Sequence, residues 1–147
     1  MWNLHPSERL RYWQDFRHKI SDMDLDKAIY ETTHLWSYAP FVKYYLTTDQ
    51  IKNWPSPWEL IYDNYYCDLA KALGILYTLG LSKHKPSMEI CIYNDKTDNQ
   101  LYNLVFVDQG KYVLNYTHDE VVNKKQINKN LILQKIISDR EFELDKF

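Results

Sequence analysis

Cys67-Asp68-Leu69-Ala70-Lys71-Ala72-Leu73-Gly74-Ile75-Leu76-Tyr77-Thr78-Leu79-Gly80-Leu81 is the stretch whose reading decides the fold. Leu69, Ala72, Leu73, Leu76 and Leu79 recur at helical spacing, and only Asp68 and Lys71 carry charge. The spacing predicts a helix from about Cys67 to Leu79, placed in the middle of the domain, with Gly80 as its C-cap. Cys67 opens the first turn. A thiol there feels the positive end of the helix dipole, which favours the nucleophilic thiolate. Cys67 is thus the first functional candidate.

Downstream of this helix the apolar period changes from helical to two. Met88–Tyr93, Leu101–Val107 and Lys111–Tyr116 read as strands, the last two joined through Asp108-Gln109-Gly110 as a hairpin. Upstream, Ser56-Pro57-Trp58-Glu59 combines a capping serine, proline at the first helical position and a glutamate that closes a capping box. That short helix should end near Tyr62-Asp63-Asn64. Ser7 is the expected cap of a first helix reaching about Ile20, with Leu10, Trp13, Phe16 and Ile20 inward and Glu8, Arg9, Arg11, Asp15 and Arg17 in water. A second helix starts near Asp24 and is stopped by Ala39-Pro40. Near the C-terminus Ile127, Leu131, Leu133, Ile136 and Ile137 suit a helix packed back on the sheet, with a strand as the alternative. Asp139–Phe147 is expected to fray.

These elements describe one α+β domain spanning residues 1–147. It has a helical N-terminal part (1–55), a core (56–117) in which a central Cys-headed helix packs on a small antiparallel sheet, and a C-terminal extension (118–147). A formal charge of −2 offers no basic stripe for nucleic acid. The N-terminus lacks an apolar signal core and no run reaches membrane-spanning length, so neither secretion nor a membrane is expected. Cys67 and Cys91 are read as reduced thiols of a cytoplasm-like compartment. Asp22, Asp24 and Asp26 alternate like metal ligands, but the glycine and closing glutamate of a calcium loop are missing. No zinc spacing and no glycine-rich phosphate loop occur, so no metal and no cofactor are expected. Thirteen tyrosines and five tryptophans stand against three glycines. Aromatic rings of this kind build a core, and where exposed they are enriched at protein contacts, so the expected partner is another protein or a second copy. A small-molecule substrate is not expected.

The central segments together resemble the transglutaminase-like core, a relative of the papain-like cysteine proteases. Its members read roughly Cys-x-Asp-x-Ala-x-x-Leu-x-x-Leu-x-x-x-Leu-Gly-Ile along the helix, against which Cys67-Asp68-Leu69-Ala70-Lys71-Ala72-Leu73 and Leu79-Gly80-Leu81 are set. The family's first strand after the helix corresponds to Met88–Tyr93. Its next strand, often His-Ala-Trp-Asn-Glu-Val, is matched by Gln100-Leu101-Tyr102-Asn103-Leu104-Val105. Its third, Gly-Lys-Trp followed by apolar residues and Asp, is matched by Gly110-Lys111-Tyr112-Val113-Leu114-Asn115. The resemblance covers about Ser56–Thr117. It implies a cysteine that attacks an acyl carbon, a histidine that takes and returns the proton, and an aspartate that orients the histidine.

On that resemblance Cys67 takes the nucleophile slot, Gln100 the histidine slot, and Asn115 (or Tyr116) the aspartate slot. Gln100 cannot act as a base, and no histidine occurs between Lys85 and Thr117. His118, placed opposite Gln100 by hairpin counting and flanked by Asp119, is the one candidate to restore the base. His84 is expected in an exposed loop, His34 half-buried on a helix, and His5 and His18 at the surface. The favoured expectation is a catalytically degenerate transglutaminase-like domain acting as a protein-binding or assembly module. The alternative is a Cys67-dependent thiol acyltransferase or amide hydrolase, with the Cys67 and Gln100 amides as oxyanion hole. The Tyr-, Asn-, Asp- and Lys-rich, Gly-poor composition, with Pro57-Trp58-Glu59-Leu60-Ile61, is similar to small proteins of T4-like tailed phages. That likeness implies a virion accessory of neck, tail or baseplate, or a host-interaction factor, located in the host cytoplasm or the particle.

Overall fold

Two helices, α1 (Pro6–Ser21) and α2 (Leu25–Ser37), lead into a short helix α3 (Pro57–Asp63) and the central helix α4 (Asp68–Gly80). Strands β1 (Met88–Asp95), β2 (Leu101–Val107), β3 (Tyr112–Leu114) and β4 (Leu131–Ser138) form one antiparallel sheet in the order β3-β2-β1-β4. This is a computed structural model, and it describes all 147 residues. The sheet packs one face on α4, with Ile90, Ile92, Val105, Val107, Leu114 and Ile137 in the main core. Its other face carries a small cluster of Cys91, Leu104, Phe106 and Val113.

The capping signals resolve as expected at two starts. Asp24 accepts from the Lys27 amide at the head of α2. Ser56 and Glu59 form the full capping box of α3, with Pro57 at its first position. At α1 the expectation shifts, because Pro6 itself occupies the first turn and His5, not Ser7, is the N-cap, without a side-chain bond. Arg9, expected in water, is 3 % exposed. Its guanidinium donates to the carbonyls of Ile61 (2.8 Å), Tyr62 (2.9 Å) and Leu4 (2.5 Å), satisfying the end of α3 that has no helical partners.

The helices lock around one hydroxyl. Thr78 Oγ1 accepts from the indole nitrogens of Trp13 (3.0 Å) and Trp36 (2.9 Å) and donates to the Gly74 carbonyl (2.7 Å). Gly74 permits this arrangement: a Cβ there would meet the Trp36 ring at 2.2 Å. Gly80 is the last residue of α4 rather than its C-cap, a place taken by Leu81. A Cβ at Gly80 would meet Leu144 at 2.4 Å, so its small size serves the C-terminal segment.

Two expectations for the C-terminus are corrected. The apolar run Leu131–Ser138 is a strand, the alternative reading, and not the favoured helix. Its β-branched residues pair with the outer edge of β1, which the central hairpin alone would leave open. The segment after it does not fray. It forms 3-10 turns at Asp139–Phe142 and Leu144–Lys146, with Phe142 buried and stacked on Trp54 at 5.8 Å. The aromatic surplus divides: Trp13, Trp36 and Tyr66 are fully buried, while Tyr30, Tyr38, Phe41, Tyr44 and Tyr62 are more than half exposed. Both cysteines are free and buried. No helix is long and apolar enough to cross a membrane.

Candidate functional site

The approach to α4 is pinned by Tyr66. Its amide donates to the Pro40 carbonyl (2.9 Å), its carbonyl accepts from Val42 (3.0 Å), and its hydroxyl donates to the Leu60 carbonyl (2.9 Å). The rings of Trp2 and Trp36 meet it edge-on at 5.3 and 5.1 Å. Cys67 follows as the N-cap of α4, one residue before the helix proper. Its side chain makes no capping bond and is 1 % exposed. The ionisable neighbour that Cys67 influences is Tyr45, whose phenol is raised first by burial and then by charge at Cys67. Tyr45 is held by its own bond to the Tyr65 carbonyl at 3.0 Å.

Asp68, in the first turn of α4, is where the helix and the sheet meet. Alternation along β2 turns Asn103, Val105 and Val107 toward α4. The Asp68 carboxylate accepts from both the backbone amide (3.1 Å) and the side-chain amide (2.9 Å) of Asn103. Asn115 ends β3 with φ at 67°, a left-handed conformation that asparagine tolerates better than most residues. Its side-chain nitrogen lies 2.9 Å from the Asn103 carbonyl and 3.2 Å from both the Asp68 carbonyl and carboxylate. Burial raises the Asp68 pKa above the ordinary carboxylate value, opposed by the Asn103 and Asn115 bonds and by Lys71. Burial also lowers the Lys71 ammonium, opposed by Asp68. Amide side chains cannot take up and return a proton, so Asp68 is the one group of this cluster that titrates.

Of the four residues singled out by sequence, Asn115 and His118 line one pocket with Asp68 and Lys71, and Gln100 stands apart from it. Cys67 heads α4 and Asn115 reaches it. Gln100 is exposed in the β1–β2 turn, its amide donating to Asp98 (2.9 Å) and its carbonyl accepting from Asp95 (2.9 Å). It shares parity with Leu104 and Phe106, on the face turned away from α4. His118 is also exposed, its ring set edge-on to Tyr38 at 5.1 Å. The hairpin count that set it opposite Gln100 stops at Leu114, because Asn115 directs the chain toward α2. Asp119, expected beside His118, instead pairs with His34 at 2.9 Å. His84 is half-buried, with Nε2 2.9 Å from the Ile20 carbonyl. Asn103 is the residue sequence reasoning missed. Its parity with Val105 and Val107 is the signal that marks it.

No protein-family model matches the sequence, and no curated protein matches it. Solved structures do. The chain is similar to calcium-bound LapG of Legionella pneumophila with a TM-score of 0.69 and 12% identity, over 95% of this chain and 88% of that one. It is similar to LapG of the same organism at a TM-score of 0.71 and 11% identity, covering 96% and 84%. EGTA-treated LapG gives 0.70 and 12% identity, covering 92% and 78%. Calcium is named with one of these proteins. In this chain no group of three or more His, Cys, Asp or Glu side chains is placed to hold a metal ion. Helices packed on one face of a four-stranded antiparallel sheet, matched over nearly the whole chain, give this chain an α+β fold shared with LapG.

Proposed function

We propose that the chain is a catalytically degenerate transglutaminase-like domain, a protein-binding or assembly module rather than an enzyme. The observation that carries this reading is the Asp68–Asn103–Asn115 cluster. It fills the junction where the fold's acid–base pair would work, with two amides and one already satisfied carboxylate. We assign the histidine slot to Asn103 rather than Gln100, since Asn103 is the β2 residue that faces α4. The nucleophile slot also moves. In the family's helix motif the Asp and Ala stand two and four residues after the cysteine. Asp68 and Ala70 therefore set that slot on Tyr66, one residue before Cys67. Tyr66 is fully buried and bonded to Leu60, a structural anchor. On this assignment the three slots read Tyr66, Asn103 and Asn115, and none is a nucleophile or base at neutral pH.

The exposed rings of Tyr38, Phe41, Tyr44 and Tyr62 support a protein-contact role. The composition's likeness to tailed-phage proteins gives the proposed setting, a virion accessory or a host-interaction factor. The second reading, a Cys67-dependent acyltransferase or amide hydrolase, rests on Cys67 at the helix start. Turnover of a panel of activated esters and peptide amides separates the two. The degenerate reading expects identical traces for the native chain and Cys67→Ala. Turnover that Cys67→Ala and His118→Ala each abolish contradicts it.

A further inference from the structure

A pocket of about 390 Å³ lies where α1 passes α3, lined by Leu10, Arg11, Gln14 and Arg17 of the one helix and Trp58 of the other. Two cations line it and no carboxylate does. We infer that this pocket docks an acidic peptide segment of a protein partner, with Arg17 holding one carboxylate and Arg11 the next. The inference rests on the module reading and names the chemistry of the module's partner.

Two observations on Arg17 carry it. Its guanidinium lies 4.3 Å from the centroid of the Trp13 ring and 5.5 Å from that of Trp58. Stacking of this kind fixes the planar fork before any ligand arrives, so little side-chain freedom is left to lose on binding. That fixed fork also lacks a partner. Its Nε–H is buried without a hydrogen bond, and neither ion pair of the molecule, His34–Asp119 or Lys146–Glu143, includes it. Arg9 on the same helix gives the contrast, because its guanidinium donates to three carbonyls. Burial lowers the Arg17 pKa, the mark of a cation desolvated without compensation. The residue is half-buried and lines the pocket, so the fork is sealed at Nε and open at its outer edge.

The spacing of the charges selects the partner. Arg11 and Arg17 stand about 9 Å apart along the helix axis, with Gln14 between them. A single small oxyanion on Arg17 leaves Arg11 unmatched, whereas carboxylates spaced along a chain match the row. Of the nearby acids, Asp15 lines the separate groove toward α2, and neither Asp15 nor Glu8 is ion-paired with Arg11. Leu10 and Trp58, the latter 40 % exposed, give apolar contact to side chains between the carboxylates. Arginine and tryptophan are also the residue types that dominate protein contacts. A nucleic-acid backbone needs a longer basic track than two arginines in a chain of net charge −2.

The test follows the Trp58 indole and Arg17 Nε–H signals of the intact chain by heteronuclear NMR during titration with three probes. These are an acetylated hexapeptide alternating glutamate and leucine, the same peptide with glutamine for glutamate, and hexathymidylate. Saturable shifts with the glutamate peptide are expected, with the glutamine peptide weaker by about ten-fold for loss of the charged contacts. Arg17→Met keeps the aliphatic stem over Trp13 and should weaken the glutamate peptide by a similar factor, read at Trp58. Arg11→Gln, at an exposed position, should weaken it about three-fold with the dispersed spectrum unchanged. No saturable shift, an equal response to the glutamine peptide, tighter binding of hexathymidylate, or unchanged affinity in both variants overturns the assignment. None of these outcomes bears on turnover, so failure of this site and failure of the module reading are told apart.

Discussion

Replacing Asp68 with alanine removes the acceptor on which the sheet and the central helix converge. Three donors lie on its carboxylate, at 2.9, 3.1 and 3.2 Å. Hydrogen bonds to a charged group contribute about 1.5–3 kcal/mol each, so a bare sum gives roughly 4.5–9 kcal/mol. Two effects reduce it. Burial disfavours the ionised carboxylate, as its raised pKa shows, and part of each bond offsets that cost. Water also reaches the half-buried site after truncation and satisfies some of the freed donors. The expected net loss is about 2–3 kcal/mol. In urea, with a slope of about 1.5 kcal/mol per molar, the midpoint falls by about 1–2 M. Asp68→Ala combined with Asn115→Ala should show coupling of about 1 kcal/mol, because the two share a bond.

Acidity gives a second reading of the same residue. The folded Asp68 carboxyl holds its proton more tightly than the unfolded chain does. Its contribution is full below the ordinary carboxylate value of about 3.9 and is lost as pH rises through the raised folded value. The stability of the native chain relative to Asp68→Asn should therefore grow as pH falls from 7 toward 4. A midpoint unchanged by Asp68→Ala, additive double variants, or the opposite pH trend refutes the role assigned to the cluster.

Gly74→Ala should cost about 3 kcal/mol, since the new methyl falls inside the Trp36 ring and both helices are held in place. For a chain of this size that lowers the thermal midpoint by roughly 10 °C, read by circular dichroism. Thr78→Val keeps the shape but strands the Trp13 and Trp36 indole N–H groups, at a cost of about 2–4 kcal/mol by urea unfolding. In a Trp13→Phe background the same change should cost clearly less.

Much of the architecture was legible because local signals agreed with the global fold. Ser56-Pro57-Trp58-Glu59 wrote the start of α3, and the Ala-Leu run wrote α4. The period-two runs wrote β1, β2 and β3. β4 was legible as a strand only as the alternative reading, because Leu131, Leu133, Ile136 and Ile137 also satisfy a helical stripe. The free edge of β1 decides the matter, and that edge exists only in three dimensions. A motif aligned by identity sets Gln100 in the histidine slot, and our proposal of Asn103 instead rests on the parity that turns it toward α4. Asn115, proposed from the sequence for the aspartate slot, bonds to Asp68 at the head of α4, and its positive φ could not be foreseen. Arg9 was misread because helical periodicity says nothing of the carbonyls at the end of α3.

Alkylation of Cys67 in the native chain tests the central claim most directly. Mapping the label to its peptide separates Cys67 from Cys91, whose thiol burial pushes up to about 12 in the folded chain but which unfolding exposes as well. A thiol 1 % exposed at a helix start, with amides across the junction, should be labelled only when the chain unfolds. Its rate should then follow urea concentration and not a base near neutrality. Rapid labelling of the folded chain below pH 7, lost in His118→Ala, would contradict the account.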